Sequence, residues 1–256
     1  MIVKYFDACL AMLLLFLLLY LWRAIYPESD WAALAFLPLL AMLFWGYLSF
    51  SAAIYRARLH IAIKPESPLA GILTGKIKAV FGAAIFVLIS VPLLAWQALT
   101  TDFPEVLALM ALCLFANLLF IGLQSGAQSH LHRPFATGAA ISLGTWIAAI
   151  IFIPIIAWMN WNYASYPGEI RGAGFSEAVI LGIQELPQRR GWIAEVLAPM
   201  YAYEAGKLWV VVQLGASRWA TTLFSLDTAL IGFIVARASI ILTLLIQTLN
   251  FDEDTK

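Results

Sequence analysis

Six long apolar stretches, at roughly 8–26, 31–53, 79–99, 104–124, 137–159 and 228–249, constrain this chain more than anything else in it. Each is close to the ~20 residues an α-helix needs to cross a ~30 Å hydrocarbon layer. In lipid there is no water to satisfy an exposed backbone amide, so such a segment must satisfy its own hydrogen bonds. The expected fold is therefore an all-α integral membrane protein, a six-span helical bundle in contact with the lipid bilayer. Composition agrees: 63% of the residues are apolar, 12% are charged, and mean hydropathy is +0.89, outside the range of soluble domains. Formal net charge is zero, which leaves no global field to attract nucleic acid.

The chain divides into three parts. Residues 1–160 form a five-span membrane bundle with a basic loop at 54–78, residues 161–227 an extracytoplasmic amphipathic cap, and residues 228–256 a sixth span with an acidic cytoplasmic tail. Lys4 before the apolar run Ala8–Trp22 has the polarity of a signal peptide, but Leu21-Trp22-Arg23-Ala24-Ile25-Tyr26 has no small-residue pair spaced for cleavage, so the first span is expected to be retained. Cys9 and Cys113 both fall inside apolar spans, and the chain reads as free of disulfides.

Positive charge in short loops sets orientation. Arg56, Arg58, Lys64, Lys76, Lys78, Arg133, Lys4 and Lys256 fall on one side, against Arg23 alone at the short turns of the other, the long 161–227 segment being outside that count. Both termini are therefore expected in the cytoplasm and 161–227 outside, with compact loops pointing to a bacterial inner membrane. Trp22, Tyr26, Trp31, Trp96, Trp158 and Trp161 cluster at the outer ends, where amphipathic rings favour the headgroup level. Arg56, Arg58, Lys76 and Lys78 are candidates for contact with lipid or a partner. The Lys64-Pro65-Glu66-Ser67-Pro68 turn ends a helix, and Leu69–Ile77 reads as an interfacial piece.

In the outer segment, Phe175, Val179, Ile183 and Leu186 share one face of a short helix. Trp192, Val196, Met200 and Tyr203 mark a second, bent by Pro199. Residues 208–226 are apolar but lack a Gly or Pro turn near 224–228. They read as a helix or re-entrant piece on the outer face, a seventh span being the less favoured possibility. Pro38, Pro92 and Pro154 inside spans indicate kinks.

Arg237 falls near the middle of the last span, where a charge costs at least ~2.5 kcal/mol on insertion scales. No acid lies centrally in the other spans. Its possible partners are helix carbonyls, Asn117, a water-filled path, lipid phosphate or a carboxylate from another chain. Ala229, Gly232, Ala236, Ser239, Thr243 and Gln247 recur at intervals of three and four, a narrow small-residue face suited to close helix approach. Arg237 projects roughly 100° away from it.

Motifs for chemistry are scarce. His60, His130 and His132 map to inner loops without a cysteine or acid at ligand spacing, so no metal site is expected. There is no HExxH, no phosphate-binding loop, no dinucleotide fingerprint, and no acidic pair to hold magnesium. No enzymatic activity and no cofactor are expected. The favoured function is a non-enzymatic integral membrane subunit that assembles with itself or with other membrane protein chains into a larger complex. Arg237, Gly232, Ala236, Ser239, Thr243 and Asn117 are its candidate binding or partner-contact residues. The alternative is a channel or transporter for a small solute, with Arg237 lining the path.

Overall fold

A computed structural model describes residues 2–62, 75–163, 170, 172–184, 191–215 and 217–253. Among the described residues the chain is almost wholly helical, with no strand. Helix α1 (Ile2–Ile25) is followed by a 3-10 helix (Asp30–Ala35) and α2 (Phe36–Ala62). Then come α3 (Lys76–Thr100), α4 (Phe103–Ala127), α5 (Arg133–Tyr163), α6 (Phe175–Gln184), α7 (Trp192–Gln213) and α8 (Arg218–Glu253). Six of these helices, α1 to α5 and α8, contain segments long and apolar enough to cross a membrane, and the fold is an all-α membrane bundle. The expected interfacial piece at 69–77 lies mostly outside the described residues.

Local chemistry explains where the helices start and stop. Ser29 accepts a hydrogen bond from the Trp31 amide at 3.2 Å and opens the 3-10 helix. The Asp102 amide donates to the Glu105 carboxylate at 3.3 Å, and Pro104 occupies the first turn of α4, where its missing N–H is no loss. Pro38 lies inside the second candidate span, Asp30–Leu59, but in the first turn of α2, where it does not kink the helix. Pro92 and Pro154 do lie inside α3 and α5.

Helix α8 is the axis of the bundle. In its apolar segment 67% of the residues are buried, against 22–44% in the other five spans. It packs on α1, α2, α3, α4 and α5, and Ile240, Ile241, Leu242 and Thr243 are all fully buried in sequence. Four consecutive buried residues cover every side of a helix, which marks a helix surrounded by others. Outer helices carry narrower buried faces, such as Ala8, Ala11, Leu15, Leu18 and Trp22 of α1. Hydrogen bonds tie the same elements together. The Trp22 indole donates to the Ala95 carbonyl at 3.1 Å, and Arg23 donates to the Thr101 carbonyl at 2.5 Å.

The supposed outer aromatic belt divides in two. Trp31, Trp158 and Trp161 are exposed, as rings at a headgroup level should be, whereas Trp22, Tyr26 and Trp96 are buried and build the core at that end. Trp22 packs against Tyr26 and Phe36 with ring centroids 4.9 and 4.7 Å apart.

Helices α6 and α7 form a hairpin at the end opposite the chain termini. Its interface is built from small residues: a Cβ added to Gly182 would lie 2.2 Å from the Ala205 Cβ, and Ala178 beside it is fully buried. Phe175 meets Trp209 edge to face at 5.4 Å, and the Trp209 indole donates to the Ala173 carbonyl at 2.9 Å. Helix α7 differs from the short helix its sequence pattern implies. It runs 22 residues, about 33 Å at 1.5 Å per residue. Its inward face is Ile193, Leu197, Tyr201 and Ala205, whereas Trp192, Val196 and Tyr203 point outward. The described residues of 208–226 are helical apart from one turn: they comprise the end of α7, a turn in which Gly215 takes φ +72°, and the first turns of α8. That φ favours glycine, which has no Cβ to clash.

Candidate functional site

Arg237 lies in the apolar segment Thr228–Asn250 of α8, close to its midpoint. It is half-buried, and its surroundings are aromatic. The guanidinium carbon sits 5.7 Å from the Tyr47 ring centroid, 5.9 Å from Phe86 and 5.7 Å from Phe233. Tyr47 of α2 and Phe86 of α3 stack at 4.9 Å, and Phe233, one turn before Arg237, leans on Trp146 of α5 at 4.8 Å. Among the described residues no carboxylate pairs with Arg237, and none accepts a hydrogen bond from it.

These contacts have a definite physical reach. Each cation–π contact contributes roughly 0.5–2 kcal/mol, depending on desolvation. Three of them are comparable to the ~2.5–3.5 kcal/mol that insertion scales assign to a mid-span arginine. They stabilise the charge. They do not occupy the five N–H donors of the guanidinium, whose planar fork matches a carboxylate.

The small-residue face of α8 is used inside the chain. Gly232 faces Phe152 and Leu112, and Ala236, Ser239 and Thr243 are fully buried. Asn117 is also fully buried and donates to both the Ala8 carbonyl and the Ser239 hydroxyl, each at 3.0 Å. It links α4 to α1 and α8. Ser239 lies two residues beyond Arg237, about 200° around the helix, so Asn117 and Arg237 serve opposite sides of α8. The Asn117 side-chain oxygen has no hydrogen-bond partner among the described residues. The only one of the six candidate contact residues left in partial contact with the surroundings is Arg237.

The basic residues gather at the end that carries the termini. Arg56 and Arg58 on the last turns of α2, and Lys76 and Lys78 on the first turns of α3, are all exposed. Lys78 lies 5.1 Å from the Tyr55 ring centroid, which brings the two helix ends together. His130 and His132 are exposed. No group of three histidine, cysteine or acidic side chains could hold a metal ion among the described residues.

Two cavities lie at opposite ends of α8. One, of about 140 Å³ beneath the cap, is lined by Glu105, Asn160, Glu204, Lys207 and Thr228 among others, with Lys207 and Glu204 paired at 3.2 Å. The other, of about 600 Å³, opens at the end that carries the termini and includes Lys4, Gln124, Arg133 and Gln247 in its lining. Neither is lined by Arg237. No sequence signal marked either cavity, because each draws its lining from at least four helices far apart in the chain. Compared with protein-family models, with curated proteins and with solved structures, the chain gives no match.

Proposed function

We propose that the protein is a non-enzymatic membrane subunit, and that Arg237 of its central helix receives a carboxylate from another membrane chain or from a second copy. One observation carries the reading. A cation at mid-span is held by three ring faces and meets no acid among the described residues. A carboxylate arriving in the membrane would complete the hydrogen bonding the rings leave open, and in that low-dielectric setting such a pair is strong only when well formed. The reading includes a bacterial inner membrane with both termini cytoplasmic, supported by eight basic residues on that side against one at the short turns of the other.

The test is extraction in mild detergent, followed by the mass of the particle with its bound proteins. A defined complex larger than one 28.3 kDa chain is expected. Arg237→Glu should abolish it, and a reciprocal acid-to-base change in the partner should restore it. A lone chain from native membranes would overturn the reading.

A second reading, a path for a small solute, draws support from the two cavities, each of which has polar side chains in its lining. They are separated along α8 by the stretch from Ile231 to Leu244, about 20 Å of helix, and the intervening core holds the polar Asn117, Ser239 and Thr243. Flux through reconstituted liposomes tests it. Retained flux in a chain whose assembly is abolished by Arg237→Glu would favour the path over the subunit.

A further inference from the structure

We propose that the 600 Å³ cavity at the terminus-bearing end is a binding site for a phosphate-bearing anion, either a lipid headgroup or a soluble phosphate compound. The cavity is framed by α1, α2, α4, α5 and α8, and its volume falls within the roughly 300–1,000 Å³ of small-molecule sites. Lys4 and Arg133 contribute two positive charges, and among the described residues no carboxylate lines it. The nearest acid on α1, Asp7, is buried and occupied by the Asn250 carboxamide at 2.9 Å.

Deeper in the cavity the chemistry is that of donors awaiting an acceptor. Gln247 is 4% exposed, and its side-chain nitrogen has no hydrogen-bond partner among the described residues. Buried amide donors without partners are rare in folded proteins. Gln124 donates to the Thr137 hydroxyl at 3.2 Å, so that hydroxyl keeps its own proton available to donate elsewhere. Gln128 adds another carboxamide. A guanidinium, an ammonium, carboxamides and a hydroxyl together suit the several oxygens of a phosphate, which outnumber those of a carboxylate. Phe50 and Leu244 form apolar wall beside these donors, which accommodates the carbon skeleton that carries the phosphate.

The experiment is thermal unfolding of the detergent-solubilised full chain. In one arm sodium phosphate is titrated against sodium chloride at matched ionic strength. In the other, phosphatidylglycerol is titrated against phosphatidylcholine in mixed micelles. A saturable rise in the unfolding midpoint is expected in at least one arm. A response to phosphate identifies a soluble ligand, and a response to phosphatidylglycerol alone identifies a headgroup. Gln247→Leu leaves every charge in place and should raise the half-saturating concentration roughly ten-fold, the scale of one hydrogen bond to a charged group. Thr137→Val and Arg133→Ala should act in the same direction and guard against a folding defect in the first variant. The proposal fails if neither arm exceeds its control, or if the midpoint responds equally in all three variants.

Discussion

Asn117 and Ser239 meet at 3.0 Å in the middle of the bundle, where neither has any exposure. A buried hydrogen bond between spans ties α4 to the central helix, yet such bonds average only about 0.6 kcal/mol in membrane proteins. Ser239→Ala should therefore lower stability by roughly that amount. Asn117→Ala loses two bonds and leaves a void, and should lower it by about 2 kcal/mol. A double-mutant cycle on unfolding in mixed micelles measures the coupling. A coupling near zero would mean the contact does not stabilise the fold.

For Arg237 the expected effects on stability and on assembly have opposite signs. Arg237→Met removes a charge that no acid among the described residues balances, and should raise the unfolding midpoint of the isolated chain by a few degrees while dissolving the complex. Phe86→Leu keeps the volume largely apolar but removes one ring face, and should lower stability by about 0.5–1 kcal/mol. In an Arg237→Met background the same change should do less, because the cation it served is gone. Melting curves of the four combinations check both statements.

The cap hairpin depends on close approach at one glycine. Gly182→Val would drive a branched side chain into Ala205, which already lies 2.2 Å from the position of a Cβ. Overpacking of this kind costs about 1–3 kcal/mol. Hydrogen exchange in α6 should speed up, while protection in α8 at 238–244 stays as it was. Loss of protection in both would show that the cap and the bundle fold as one unit.

Orientation can be checked at the ends. A fluorescent-protein fusion after residue 256 should fluoresce, and an alkaline phosphatase fusion at the same place should be inactive. Replacing Arg56, Arg58, Lys76 and Lys78 together by glutamine should give a mixed population, since these four supply half of the eight basic residues on the proposed cytoplasmic side.

The spans were legible in the sequence because hydropathy and length are local properties. Thr228–Asn250 in the structure and 228–249 in the apolar pattern differ by one residue. The partners of each face were not legible. Within a membrane, small residues that pack against the same chain and those that pack against another have the same composition. Gly232, Ala236, Ser239 and Thr243 thus pointed to an interface, and the structure spends them on its own core. The aromatic surround of Arg237 was hidden for a related reason. Phe233 is a helical neighbour at four residues, but Tyr47 and Phe86 come from two earlier spans, and no spacing connects them to residue 237. In α7 the face that meets the bundle was not legible because Trp192, Val196 and Tyr203 are bulky and apolar, and large outward side chains dominate a pattern that Ala205 and Gly206 on the inner face cannot offset.

The central position of α8 has a consequence for how the chain is made. Ribosomal synthesis delivers α1 to α5 first, and until α8 emerges the surfaces that it later covers lack that helix. Through that interval Asn117 lacks Ser239, and Tyr47 and Phe86 enclose no cation. The bundle is therefore closed from within by a helix made after the five it joins, so an interruption before α8 emerges would release a set of helices without a centre, a natural substrate for membrane quality control.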